Sequence, residues 1–298
     1  MDLINISTSP GIFWWRPAAA LRVGGADAAQ FLQGQHSNDL RAFPQQPAVY
    51  GLWLTLKGKV EADSFVVRES ATGDFLLFSY ESPAATVRER LERFVIADDV
   101  TVTDETASWR AVSVFGAELR AAIGTDWAGG AVFPGRRDRT EQAEWLYPES
   151  AHTAVAARLA GGPEWAAAEI ERRRIAAGIP AVPRDLGPAD LPNEGGLEAE
   201  AVSYTKGCYL GQEVMARLKA MGQVRRRLVR VRSVGPELPA APVPLYAGEK
   251  AAGELRSAAA DAGGAIGLAM VSLIAVGAAR TLALQPGGTA AVEIVGSP

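Results

Sequence analysis

Lys206-Gly207-Cys208-Tyr209-Leu210-Gly211-Gln212-Glu213 is the stretch on which the reading of this chain turns. It holds the single cysteine of a 298-residue sequence. Gly207 and Gly211 lie close to the thiol, so the backbone can turn tightly and either expose the sulfur or come close to a ligand. Lys206 on one side, and the amide groups that open a following helix on the other, both favour thiolate over thiol. Against this stands the ordinary fate of a free cysteine, burial as a small inert hydrophobe. Spacing alone leaves both readings open. One thiol can form no intrachain disulfide, nor supply the several thiolates that a self-contained iron–sulfur cluster or structural zinc site takes from its protein.

Outward from this stretch the charge is uneven. Between Glu200 and Arg232 eight Lys and Arg residues stand against two glutamates, a net of +6, whereas the whole chain carries −4. The negative total, with a pI near 5.4, argues against a general nucleic-acid binder, and no stable nucleic-acid binding is expected. The local excess either steers an acidic ligand or partner or is a solvated strand face. Only five of the 30 basic residues are lysines, among them Lys57 and Lys59 in one turn and Lys206 and Lys219 around Cys208. With 48% hydrophobic and 21% charged residues, the chain reads as an ordinary globular protein of about two domains. The start of the sequence, with Asp2 and no basic-then-apolar run, shows no secretory signal, so a reducing cytoplasm is expected. The uncharged stretch 262–279 is rich in Gly and Ala and reads as buried short strands, not a membrane span.

Along the chain, short strands and helices alternate on short connections, the pattern of an α+β fold. Strands are expected at 20–23, 49–56, 60–68, 75–79 and 100–104, with Lys57-Gly58-Lys59 turning a hairpin between the second and third. Ser82 and Pro83 read as the cap and first turn of a helix. A second round of strands and helices covers 109–159, Pro163 opens a helix ending before Gly178, and the proline-rich 179–197 is a linker. After a short helix through Lys219, residues 223–234 read as a strand. Gly235-Pro236 then divides a region 1–235 from a small C-terminal β-barrel, 236–298. Lys57-Gly58-Lys59 is no phosphate loop, since Val60 replaces the hydroxyl residue. His36 and His152 have no metal-ligand spacing, so no metal site is expected.

The octapeptide 206–213 resembles the signature of the YgfZ-type folate-binding proteins, relatives of the glycine-cleavage aminomethyltransferase (T-protein). Further blocks resemble the same family in the same order: Val23-Gly24-Gly25-Ala26-Asp27-Ala28 with Phe31-Leu32-Gln33-Gly34-Gln35 and Asn38-Asp39, then Leu56-Lys57-Gly58-Lys59-Val60, Arg174-Ile175-Ala176-Ala177-Gly178-Ile179-Pro180, and Leu191-Pro192-Asn193-Glu194. The resemblance implies a three-lobed cloverleaf around a central cavity for tetrahydrofolate or a folate derivative. It also implies a role in assembling or repairing iron–sulfur enzymes, including those that modify tRNA. Two departures argue against aminomethyl transfer. Ala176 stands where T-proteins carry a pterin-contacting glutamate, and Tyr80-Glu81-Ser82-Pro83 stands where their catalytic aspartate lies.

On this basis Cys208 is expected to be a functional thiol and Lys206 to lower its pKa, with Tyr209, Gln212 and Glu213 positioning the loop. Asn38, Asp39 and Glu194 are expected to line the folate cavity, because a pterin edge needs matching donors and acceptors. Arg217 and the basic residues after it would steer the folate tail or an acidic partner. A lone Cys208 would serve as a transient single ligand, a redox thiol, or a ligand shared between two chains, the partners being iron–sulfur enzymes or assembly proteins. Two rival readings are a folate-dependent one-carbon transferase, in which Asp39 or Glu81 supplies the carboxylate, and a folate-gated docking module in which Cys208 merely packs.

Overall fold

Apolar strands that are buried on both faces must be covered on both, and this dictates the layering. In the computed structural model, which describes residues 8–43, 45–123 and 130–296, β1 is Gly11–Trp15, β2 Ala19–Gly24, β3 Val49–Leu54, β4 Val60–Arg68, β5 Phe75–Ser79 and β6 Thr101–Asp104. Strands β2 to β6 make an antiparallel sheet in the order β3-β4-β5-β2-β6. Alternation along β4 sends Ala62 and Val66 to one side, with Leu32 of α1 (Ala28–Gln35) and Val87 and Leu91 of α2 (Ala84–Glu92). Phe65 and Val67 go to the other side, against Ala111 and Leu146 of a second sheet.

That second sheet takes β1 together with β7 (Trp109–Phe115), β8 (Ala131–Pro134) and β9 (Gln142–Pro148), in the order β1-β7-β9-β8. Its far face holds Val112, Val114 and Trp145 against α3 (Ala117–Ile123) and α4 (His152–Arg158). Two sheets therefore pack face to face between outer helices. The expected α+β class is what forms.

The chain leaves this core through α5 (Ala167–Ala176), the linker and α6 (Gln212–Met221), and closes in a six-stranded antiparallel barrel. The barrel comprises β10 (Arg226–Ser233), β11 (Val243–Ala247), β12 (Lys250–Asp261), β13 (Gly264–Ser272), β14 (Thr281–Ala283) and β15 (Ala290–Gly296), with α7 (Leu273–Val276) between β13 and β14. The uncharged stretch near 262–279 supplies β13 and α7. No described helix is long and apolar enough to cross a membrane.

Three local expectations change. The barrel takes in β10, which pairs with β13 and β15, so it starts ahead of the boundary expected at Gly235. The helix expected from Pro163 begins only at Ala167. Residues 163–165 lie extended beside β1, with Ile12 N–H donating to the Pro163 carbonyl and Trp165 N–H to that of Ile12. Ser82 does not cap α2: Pro83 holds the cap position, and the Ser82 hydroxyl donates to Asp63 at 2.6 Å. A buried carboxylate claims the hydroxyl that local sequence offers to the helix.

Candidate functional site

Residues 206–211 form a loop whose side chains divide sharply. Cys208 is exposed, whereas Lys206 and Tyr209 are buried. Gly207 and Gly211 adopt φ of +98° and +86°, left-handed values that suit glycine. At Gly211 a Cβ would lie 2.7 Å from the Thr55 carbonyl oxygen, so the loop seats directly on the β3–β4 turn. Leu210 N–H donates to the Gly34 carbonyl.

The Lys206 ammonium donates to the carbonyls of His36 at 2.6 Å and Asn38 at 2.8 Å, and lies 5.2 Å from the Tyr209 ring centroid. Burial lowers its pKa to about 8, with nearby Asp39 opposing. Lys206 thus pins the loop to residues 36–38, a different task from the thiol activation expected of it. Burial raises the Tyr209 phenol pKa, and its hydroxyl finds no hydrogen-bond partner among the described residues. Gln212 opens α6 and Glu213 sits exposed in its first turn, where a negative charge complements the helix N-terminus.

The segment 200–206 is stitched to 36–39 by side chains. The Ser37 hydroxyl donates to the Ala201 carbonyl at 2.6 Å and accepts from Leu52 N–H. The Asn38 amide donates to the carbonyls of Tyr50 and Glu200. Asp39 pairs with Arg41 at 2.7 Å, which holds its carboxyl well below the usual range. Glu194 lies elsewhere, accepting from Leu191 N–H and from Arg226 on β10. Arg217 is exposed on α6.

His36 is fully buried beneath this loop, and burial, aided by the Lys206 charge, lowers its pKa to about 3. The unfolded chain, with an ordinary histidine near 6.5, then binds more protons than the folded one between those values. Stability should therefore fall with pH below 6.5, by about 2 kcal/mol from this residue at pH 5. Denaturant unfolding at pH 7 and pH 5 should show that loss, and His36→Phe should flatten it; an equal slope in both chains contradicts the assignment.

A second feature lies where the two sheets meet the linker. A hollow of ≈ 20 Å³ is lined by Asp63, Tyr80, Glu81, Arg136 and Arg137 and by residues of the linker near Ile179. Asn38, Asp39, Glu194 and Arg217 are not among its lining residues. Asp63 accepts from the hydroxyls of Ser79, Ser82 and Tyr50, yet burial keeps its pKa raised. The Arg136 guanidinium lies 4.0 Å from the Tyr50 ring centroid and bonds Glu200 at 2.6 Å, while its Nε has no hydrogen-bond partner among the described residues. Arg137 stacks 3.6 Å from the Tyr80 centroid and 4.6 Å from that of Trp15, and its Nε faces the Glu144 carboxylate at 3.6 Å. Nearby, fully buried Glu144 accepts from Trp15, Ser113 and Tyr80. Through Glu200, whose side chain meets Arg136 and whose carbonyl meets Asn38, the hollow connects to the segment leading to Cys208.

These central groups were missed by motif reading. The available signal was a charge inside a buried strand: Asp63 in Val-Glu-Ala-Asp-Ser-Phe and Glu144 in Gln-Ala-Glu-Trp-Leu. Ala176 is buried at the end of α5, and its carbonyl accepts from Arg230. Among the described residues no group of His, Cys, Asp and Glu could hold a metal ion.

Comparison with known proteins gives a consistent picture. Residues 4–125 match the GCVT N-terminal domain, and residues 225–295 match the CAF17 C-terminal beta-barrel domain. The chain is 32% identical over 232 residues to the "Iron-sulfur cluster assembly factor IBA57, mitochondrial" of Homo sapiens, covering 72% of this chain and 64% of that protein's length. With the Mus musculus protein of the same name the identity is 30% over 295 residues, covering 90% and 80%. With the "tRNA-modifying protein YgfZ" of Edwardsiella ictaluri it is 29% over 255 residues, covering 76% and 71%. In fold, the chain is similar to the glycine cleavage system aminomethyltransferase T from Bartonella henselae, with a TM-score of 0.78 at 17% identity over 96% of this chain and 84% of the other.

Proposed function

The chain belongs to the IBA57/YgfZ family of iron–sulfur cluster assembly factors, relatives of the aminomethyltransferase T-protein, and from that premise we propose a cytoplasmic accessory protein that supports assembly or repair of iron–sulfur enzymes, tRNA-modifying ones included. The observation that carries the reading is the exposure of Cys208 on a loop otherwise anchored inward by Lys206, Tyr209 and Leu210. A cysteine that only packed would be buried. Held rigidly at the surface, one thiol offers a single ligand to a cluster shared with a partner chain, or a single site of exchange. The one-carbon transferase is disfavoured, because Asp39 is paired with Arg41 and Glu81 with Arg184. The test is specific activity of iron–sulfur enzymes in cells depleted of this chain. It should fall and return on re-expression, with the amount of each enzyme unchanged; an unaltered activity refutes the reading.

Tetrahydrofolate enters this reading as the ligand of the central hollow of a three-lobed arrangement. The lining has suitable chemistry: the Tyr80 ring, the Asp63 carboxylate, and the Arg136 and Arg137 guanidinium groups, which stack on Tyr50 and Trp15 behind them. The size does not fit as it stands, since ≈ 20 Å³ is room for about one water. Arg137 lines this hollow and stacks on Tyr80, so a ring placed against Tyr80 would have to displace it. Arg137→Ala is accordingly expected to bind tetrahydrofolate at least about tenfold more tightly than the parent chain, having no stacked side chain to expel. Calorimetry, together with the fluorescence of adjacent Trp15, measures it. Absence of saturable binding in both chains removes folate from the reading and leaves the thiol untouched.

A further inference from the structure

The basic stretch after Cys208 is only partly used by the fold. Arg226 is committed to Asp190 and Glu194, and Arg230 to the Ala176 carbonyl. Arg217, Arg225 and Arg227 are exposed and make no ion pair among the described residues. Lys219 makes none either; its ammonium lies 4.3 Å from the Tyr204 ring centroid. Two hollows of ≈ 450 and ≈ 620 Å³ adjoin here, sharing Gly222, Gln223, Val224 and Arg227. The first is walled by Val202, Tyr204, Leu218 and Lys219 and also holds one carboxylate, Glu198; the second, walled by Arg225, Leu273 and Ile274, holds none.

Apolar anchors stand beside these cations. Ile274 is 82% and Leu273 43% exposed, the one sequence-adjacent pair among the large hydrophobics exposed in the described residues. They are held out by structure: the Ser272 hydroxyl accepts from Ala275 N–H, and Leu273 N–H donates to the Arg225 carbonyl at 2.9 Å. Large aliphatic groups on a fixed turn, beside the two exposed guanidinium groups of Arg225 and Arg227, put an apolar anchor and positive charge in one groove.

We infer that this groove docks an acidic, amphipathic segment of a partner protein, its aliphatic side chains on Val224, Leu273 and Ile274 and its carboxylates on Lys219, Arg225 and Arg227. Charge complementarity carries the choice, because these free cations cluster on a chain of net charge −4. A nucleic-acid backbone would use the cations but leave two aliphatic anchors idle. A second copy of this chain lacks a free acidic segment in the linker, where Asp185 pairs with Arg174, Asp190 with Arg256 and Glu194 with Arg226. Tyr204 on the groove wall is four residues from Cys208 in sequence, so one segment carries both, and a seated partner would be brought to the thiol. That purpose rests on the proposed function; the docking itself does not.

The test uses fluorescein-labelled helical peptides of about 18 residues, about five turns, with leucine on one face and either glutamate or lysine on the other. An oligouridylate of similar length and the full chain are also used, with binding read by anisotropy. The glutamate peptide should bind at least about tenfold more tightly than the lysine peptide, and Ile274→Ser or the pair Arg225→Glu and Arg227→Glu should each weaken it at least about tenfold. The charge-reversed pair should now prefer the lysine peptide, which shows that it is folded. Cys208→Ser should bind the glutamate peptide unchanged, separating this surface from the thiol's role. Equal binding of both peptides, indifference to either variant, tighter binding of the oligouridylate, or self-association abolished by Ile274→Ser overturns the inference.

Discussion

Cys208→Ala should leave stability within about 0.5 kcal/mol of the parent chain, as for an exposed position without specific partners, yet abolish rescue of iron–sulfur enzyme activity in depleted cells. Both halves follow from the loop. The side chain is exposed, so truncating the thiol opens no cavity. The loop keeps its shape through Lys206 on the carbonyls of His36 and Asn38, and through the Gly211 turn packed on Thr55. What the variant loses is the one thiol that the chain owns, and serine, harder and far less acidic, should not replace it. Denaturant midpoints and enzyme activities normalised to enzyme amount give the two readouts. Full rescue by Cys208→Ala would leave the thiol without a function, and a large stability loss would mean that it packs.

The same loop shows how far local sequence carries. The glycines at 207 and 211 mark positive φ, and the hairpin around Gly58 forms where composition places it, because both depend on a few neighbouring residues. The direction of Lys206 does not. Adjacency in sequence suggests a cation facing the thiol, but its carbonyl partners lie 170 and 168 positions away. Ser82 fails as a cap for the same reason, since Asp63 on another strand claims its hydroxyl. Asn38 and Asp39, expected to line a folate cavity, have their polar atoms taken by Tyr50, Glu200 and Arg41. Arg136 and Arg137 sit in a loop-like stretch that no motif marks, and only packing of both sheets against the linker buries them. Period and turn chemistry are local; which polar groups meet in the interior is set by the tertiary fold.

Arg173→Met should cost about 3–5 kcal/mol, the largest stability change expected of a single substitution here, because it leaves a buried carboxylate without its cation. Arg173 Nε and Nη2 bond Asp138 Oδ2 at 2.7 and 2.6 Å, and both side chains are within 1% of complete burial. The guanidinium also lies 4.3 Å from the Trp165 ring centroid and 5.3 Å from that of Phe115, joining α5 to the β8–β9 connection. Methionine can fill much of the space over these rings, so the loss measures charge more than volume. Thr140 and Gln142 go on donating to Asp138 Oδ1, while Oδ2 loses both of its bonds to Arg173. Adding Asp138→Asn removes the stranded charge and should recover more than about half of the loss, since a neutral amide is far cheaper to bury. By contrast Arg88→Ala, which breaks an exposed pair with Glu92, should change stability by no more than about 0.5 kcal/mol. Urea unfolding with an unchanged m-value gives all three numbers. If Arg173→Met proves as mild as Arg88→Ala, the pair does not hold α5 to the second sheet, and the path from that sheet through Arg136 and Glu200 to the Cys208 loop loses its rigid support.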